Sequence, residues 1–181
     1  MIKINELPSV EFLNECFICN PSKGTLTWKI RPADHFNTDL GCKVFNSKYA
    51  GKEAGSFDST NEYWKVGINA AVLYAHRIIY KMCYEVEPKT IDHINCNRLD
   101  NRLVNLREAT PTQNSQNSRS FGNLSTGLKG SFFHKKSGKY QSMIKYNGKQ
   151  IYLGLFDTPQ GAHESYKRAA DKYFGEFANY G

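Results

Sequence analysis

The chain has 181 residues, 40% of them hydrophobic, which is enough for one domain or for two or three small ones. Its formal charge of +7 favours nucleic acid or another anionic surface as a partner, and its odd count of five cysteines argues against a disulfide framework. No apolar run reaches membrane-spanning length and the first residues lack a basic-then-apolar leader, so an intracellular protein without a membrane partner is expected.

The charge is not evenly spread. Residues 1–75 carry eight Lys/Arg against eight Asp/Glu, residues 76–120 seven against five, and residues 121–181 nine against four. The basic excess therefore grows toward the C-terminus.

In chain order, residues 8–20 space Val10, Phe12, Leu13, Phe17 and Ile18 for one buried side of a short helix. Cys16 and Cys19 form a C-x-x-C, either half of a zinc site or small apolar residues near a helix end. No second pair follows at ligand spacing, so structural zinc is not expected. A turn at 21–24 leads into a strand over 25–30, and residues 34–48 are polar and poorly periodic. Residues 50–56, 63–69 and 71–75 suggest a small antiparallel sheet. A helix over 75–86 begins with His76 and Arg77 and points Ile78, Ile79, Met82, Cys83 and Val86 inward.

Thr90–Ile94 reads as a short strand, residues 95–101 as polar turn chemistry, and Leu103–Ala109 as a second short run. Thr110, Pro111 and Gln113 then make a helix start with a capping box. The order is strand, loop, strand, helix. Asp92 and His93 fall at the end of the first strand and Asn114 on the first helical turn. A carboxylate and an amide oxygen suit a hard divalent cation, and an imidazole suits activation of water at neutral pH. Neighbouring residues on a strand face opposite ways, so Asp92 and His93 meet one substrate only if the strand ends or twists there.

Residues 118–123 read as a linker. Beyond them strands are expected over 129–134, 140–146 and 149–155, with Asn147-Gly148 as a two-residue hairpin turn. Thr158-Pro159 opens a closing helix that buries Ala162, Tyr166, Ala169, Ala170 and Tyr173 and ends at Gly175.

The run D-H-I-N-x-N-x-x-D-N-R-x-x-N-L-R-x-A-T-x-x-x-N resembles the HNH motif, with the ββα-metal fold, of phage-type homing endonucleases. The resemblance implies Asp92 and Asn114 as metal ligands, His93 as general base, and Asn105 as the residue that holds the loop around the histidine. Asn101 and Arg102 fall in its N-N-R loop, with Asp100 replacing the first asparagine, and Cys96 stands where many relatives have glycine. The A-H-R at 75–77 is similar to one found there in the family. His76 has either a direct role at the scissile region or a structural one at a helix start, and Arg77 is a candidate phosphate clamp. The G-x-L-T-W and A-G-x-x-A-G segments resemble the region preceding many phage HNH domains, which either clamps the duplex or buttresses the nuclease.

The C-terminal segments G-L-K-G-S, S-G-K-Y-Q-S-M-I and Y-L-G-L-F-D-T resemble the plant ethylene-response-factor type DNA-binding domain, a three-stranded sheet backed by one helix. That family lays the sheet face away from the helix in the major groove. Here the face would carry Phe132, His134, Gln141, Met143, Lys145, Gln150 and Tyr152, with Ile144, Ile151 and Leu153 packing on the helix. Lys129, Lys135, Lys136 and Lys149 are further candidates for DNA contact. Residues 121–156 hold six lysines and neither acid nor arginine, a composition suited to phosphates rather than guanine.

The resulting expectation is an α+β chain. It has a β-rich region over 1–74, a ββα-metal nuclease core over 75–118, a linker over 119–126 and an ethylene-response-factor type domain over 127–181. Its expected activity is homing-type hydrolysis of duplex DNA with one Mg²⁺ or Mn²⁺, by an intracellular monomer, in the cytoplasm of a bacterial host if it is phage-encoded. The alternative is a non-catalytic DNA-binding protein on a degenerate nuclease scaffold.

Overall fold

The computed structural model describes residues 6–118 and 126–181, so most of the expected linker, residues 119–125, lies outside the described residues. The chain is α+β and forms two compact units, Met1–Ala109 and Thr110–Gly181.

In the first unit, Ser9 caps α1 (Val10–Cys16) by accepting the Phe12 amide at 3.2 Å. The helix is shorter than its apolar spacing suggests. At Phe17 the backbone turns extended and enters β1 (Phe17–Asn20), which pairs antiparallel with β2 (Thr25–Trp28). Phe17 lies directly opposite Trp28 with ring centroids 4.5 Å apart, and this tertiary pairing overrides the helical periodicity. The polar stretch after residue 34 also departs from expectation, because it contains α2 (Asp39–Tyr49), capped by Thr38. This helix buries no residue fully; Phe45 packs against the core while Leu40 and Val44 are exposed, so its apolar residues do not gather on one buried side.

Strands β3 (Ser56–Asp58), β4 (Tyr63–Ile68) and β5 (Ala71–Tyr74) form an antiparallel sheet in sequence order. Of the segment over 50–56, only Ser56 enters that sheet, while Glu53 makes an isolated bridge to Thr27. Helix α3 (Ala75–Tyr84) follows β5 without a break. Leu13, Phe17, Leu26, Trp28, Val66, Ile78 and Ile79 pack into one core that runs across residue 74. Each such side chain contributes roughly 1.5–3 kcal/mol on burial. Glu85, left-handed at φ 58°, ends α3, so Val86 falls outside the helix and is exposed rather than inward. The unit closes with β6 (Ile91–His93) antiparallel to β7 (Leu106–Glu108). The start of the expected second run, Leu103–Asn105, is a 3-10 turn rather than strand.

The second unit begins with α4 (Pro111–Gln116), where both halves of the Thr110/Gln113 capping box are formed. Strands β8 (Ser131–His134), β9 (Lys139–Tyr146) and β10 (Lys149–Phe156) form an antiparallel sheet with β9 central. Helix α5 (Pro159–Phe174) packs across it, burying Ala162, Tyr166, Ala169 and Ala170 and leaving Tyr173 half-buried. Gly130, at φ +75°, lets Tyr166 seat against the backbone, since a Cβ there would stand 2.1 Å from the tyrosine ring. Among the described residues no helix is long and apolar enough to cross a membrane.

Candidate active site

Strand β6 ends at His93, and the chain turns at once. The Cys96 amide donates to the His93 carbonyl at 2.8 Å, and Cys96 itself is left-handed at φ 57°. A glycine would adopt that conformation without strain, so the turn forms here against a cost of about 1–2 kcal/mol. The strand therefore ends at the histidine, with both Asp92 and His93 still paired in the ladder, to Arg107 and Leu106.

Asn105 is the knot of the loop. Its Oδ1 accepts the Asn95 amide at 3.0 Å, and its Nδ2 donates to Asn95 Oδ1 at 3.0 Å and to the Asp100 carbonyl at 2.7 Å. Its own carbonyl accepts the Ile94 amide at 2.9 Å. Asp100 takes two bonds from Arg102, at 2.7 and 2.6 Å, which hold its carboxyl down at about 2.

His93 is buried, with Nε2 3.2 Å from Asn101 Oδ1. An amide oxygen only accepts, so Nε2 carries the proton in this contact and Nδ1 carries the lone pair. Burial holds the imidazole below its ordinary range, against the opposing pull of Asn101, Asp92 and Asp100, while Arg98 pushes the same way as burial. Asp92, 4% exposed, receives Arg107 on Oδ2 through Nε at 2.9 Å and Nη2 at 2.8 Å, directly across the ladder.

His76 lies beside His93, ring centroids 5.0 Å apart and edge to face, enclosed by Tyr63 at 5.2 Å and Tyr74 at 5.6 Å. Its Nδ1 is buried without a hydrogen-bond partner, and burial drives its pKa well below the usual value. Arg77 turns elsewhere, to Glu87 at 2.9 Å and the Lys89 carbonyl at 3.3 Å, and braces α3 against the segment entering β6.

Three further residues contribute in ways the motif does not assign. Tyr63, from β4, stands 6.1 Å from the His93 ring, and burial pushes its phenol up. Asn101 sits inside the motif, but only its contact with Nε2 reveals its link to His93. Gly24, in the β1–β2 turn, lies so close to the Asn101–Arg102 backbone that a Cβ would meet it at 2.4 Å, and Leu103 donates to the Pro21 carbonyl at 2.9 Å. The hairpin thus supports the loop that holds His93. The sequence signal was a glycine in a turn, without any indication of what it approaches.

Asn114 stands on the first turn of α4, in the second unit. The expected metal donors are one carboxylate and one amide, oxygen donors of the kind Mg²⁺ and Mn²⁺ prefer, to be completed by water and phosphate. Among the described residues no three His, Cys, Asp or Glu side chains converge as a metal set. Cys16 Sγ lies 3.7 Å from His35 Nδ1, and burial pushes the Cys19 thiol up to about 12.

On the C-terminal sheet, Phe132 opposes Gln141, Lys145 opposes Gln150 and Met143 opposes Tyr152, so these six share a face, and His134 continues the same alternation. A bulge at Leu153 returns Leu155 to that face, opposite Gln141. Lys149 pairs with Tyr146 and falls on the other face, while Lys135 and Lys136 lie in the β8–β9 turn. Lys129 Nζ donates to the Ser118 carbonyl at 2.6 Å and is drawn to the C-terminal end of α4.

Residues 73–116 match the model of the HNH endonuclease family. The chain is 31% identical over 118 residues to an HNH endonuclease of Acanthamoeba polyphaga mimivirus, covering 64% of this chain and 60% of that protein. Over 51 residues, 28% of this chain, it is 43% identical to APETALA2-like protein 2 of Oryza sativa and to an AP2-like ethylene-responsive transcription factor of Arabidopsis thaliana. It spans 12% and 10% of those plant proteins. No solved structure matches. The chain thus resembles HNH endonucleases through its β6–β7 region and APETALA2-like proteins over its C-terminal region.

Proposed function

We propose that the protein is a metal-dependent endonuclease of homing type that hydrolyses one phosphodiester bond of duplex DNA per catalytic event. The observation that carries this reading is His93, held by Asn101 through Nε2 in a loop that Asn105 ties together, one residue from the buried carboxylate of Asp92.

His93 Nδ1 takes a proton from a water, whose oxygen attacks phosphorus in line. The bond from phosphorus to the 3′ oxygen breaks, and that oxygen leaves with the electron pair and gains a proton from solvent. Burial keeps the imidazole neutral at pH 7, the state a general base requires. Asp92 and Asn114 would hold one Mg²⁺ or Mn²⁺, which when bound supplies positive charge to the phosphate oxygens and the departing oxygen. Arg107 steadies the Asp92 carboxylate across the ladder, as supporting partners of metal ligands do. His76 acts through His93, as a wall that fixes the ring, and Arg77 serves the same framework through Glu87. The sheet face with Gln141, Lys145, Gln150 and Tyr152 would anchor the enzyme on the duplex.

Incubation of the purified chain with supercoiled plasmid and Mg²⁺ or Mn²⁺ tests the reading. Open-circular or linear product that EDTA prevents is expected. Binding without cleavage under either ion would favour a DNA-binding protein on an inactive scaffold.

A further inference from the structure

The arginines of the first unit are mostly committed. Arg77 pairs with Glu87, Arg102 with Asp100 and Arg107 with Asp92. Arg31 is buried, with the Phe36 and Phe45 rings 4.7 and 5.1 Å from its guanidinium carbon. Arg98 differs from all of these. It is exposed, and among the described residues no carboxylate lies within ion-pairing distance of it. Yet it is held at two points. Nη1 donates to the Asn61 carbonyl at 3.2 Å, and the guanidinium carbon sits 5.1 Å from the centre of the Tyr63 ring.

This seat aims the cation at the reaction. Tyr63 is the ring that also stands 6.1 Å from His93, and it touches His76 and Tyr74 as well. A solvated surface arginine needs no platform. One fixed on an aromatic face beside a general base, with no acid to neutralise it, presents a planar fork of donors to an anion.

We infer that Arg98, seated on Tyr63, grips a phosphate of the DNA strand being cut, close to the phosphate attacked by the water on His93, with Tyr63 as its positioning residue. The inference rests on the endonuclease reading for its substrate and on the Arg98 geometry for its site. It gives the phosphate-clamping role, expected of Arg77 from sequence, to a residue whose charge is not already paired.

Two measurements on the full chain decide it. The first follows binding of a duplex oligonucleotide against salt, comparing His93→Ala with His93→Ala/Arg98→Gln so that cleavage does not intrude. One lost phosphate contact lowers the slope of log K against log salt by about 0.9. An unchanged slope overturns the proposal. The second is steady-state plasmid cleavage, where Arg98→Gln should lower kcat/KM by about 10-fold or more, as misplaced substrate does. Tyr63→Leu should match that loss, while Tyr63→Phe, which keeps the aromatic face, should stay within about 3-fold of wild type. A phenylalanine variant as damaged as the leucine one would remove Tyr63 from its positioning role. If the wild-type chain cuts no duplex, the endonuclease reading fails, and the salt slope still decides whether Arg98 meets a phosphate.

Discussion

Between Asp92 and Arg107 the polar side chains are bonded to one another and to the backbone of their own loop, through Asn95, Asp100, Asn101, Arg102 and Asn105. On the C-terminal sheet the reverse holds. Lys135, Lys136, Lys145 and Lys149 have no carboxylate within ion-pairing distance among the described residues, and Gln150 and Tyr152, on the face shared with Lys145, are exposed. One region uses its polar groups to fix a geometry, and the other is the face proposed to meet DNA. Preorganisation of this kind serves chemistry, where a misplacement of about 1 Å costs ~10²-fold, whereas a charged face serves binding that salt can screen.

The contrast breaks most visibly at the proposed metal ligand. Asp92→Ala should lower cleavage by at least ~10²-fold, since a metal supplies several kcal/mol to the transition state and each 1.36 kcal/mol is tenfold in rate. DNA affinity should stay within a few-fold, because the proposed anchoring face lies on β8–β10. Affinity falling in step with cleavage would show that the two tasks are not separate.

A comparable loss is expected from a residue that touches no substrate. Gly24→Ala places a methyl against the Asn101–Arg102 backbone and shifts the partner of His93. Single-turnover cleavage should fall by about 10²-fold with binding retained. Unchanged cleavage would mean that the hairpin does not set the loop.

The third prediction concerns stability. His76 is buried with a pKa below its unfolded value, so the unfolded chain binds more protons than the folded one as pH falls below about 6.5. Stability of the first unit should be fully present above that pH and decline below it, toward the depressed folded value. His76→Gln stays neutral, so its melting temperature should change less between pH 7 and pH 5 than that of wild type. Parallel declines would assign the acid sensitivity to other groups. The smallest effect belongs to the sheet, where Lys145→Gln should lower the salt slope by about one unit and weaken all duplexes alike. A change in preference at one base position would make Lys145 a reader of sequence.

Much of this architecture is legible along the chain because its causes are local. The Thr110/Gln113 capping box forms as its spacing suggests, and Asn147 and Gly148 both take positive φ, as a two-residue hairpin turn requires. What escaped depends on partners distant in sequence. The end of α1 is set by Trp28, α2 meets the core chiefly through Phe45 and leaves Leu40 and Val44 exposed, and Arg77 is claimed by Glu87. The site shows the same division. Asp92, His93 and Asn105 sit in one readable run, while Tyr63 and Gly24 reach it through folds of the chain that no short window contains.

The most direct test of the central claim is cleavage of one plasmid substrate by wild-type protein and His93→Ala at matched Mg²⁺ or Mn²⁺, with duplex affinity measured alongside. Loss of the general base should slow cleavage by ~10²–10⁴-fold while affinity stays within a few-fold. A His93→Ala protein that cuts at the wild-type rate would show that this histidine is not the base and would contradict the mechanism.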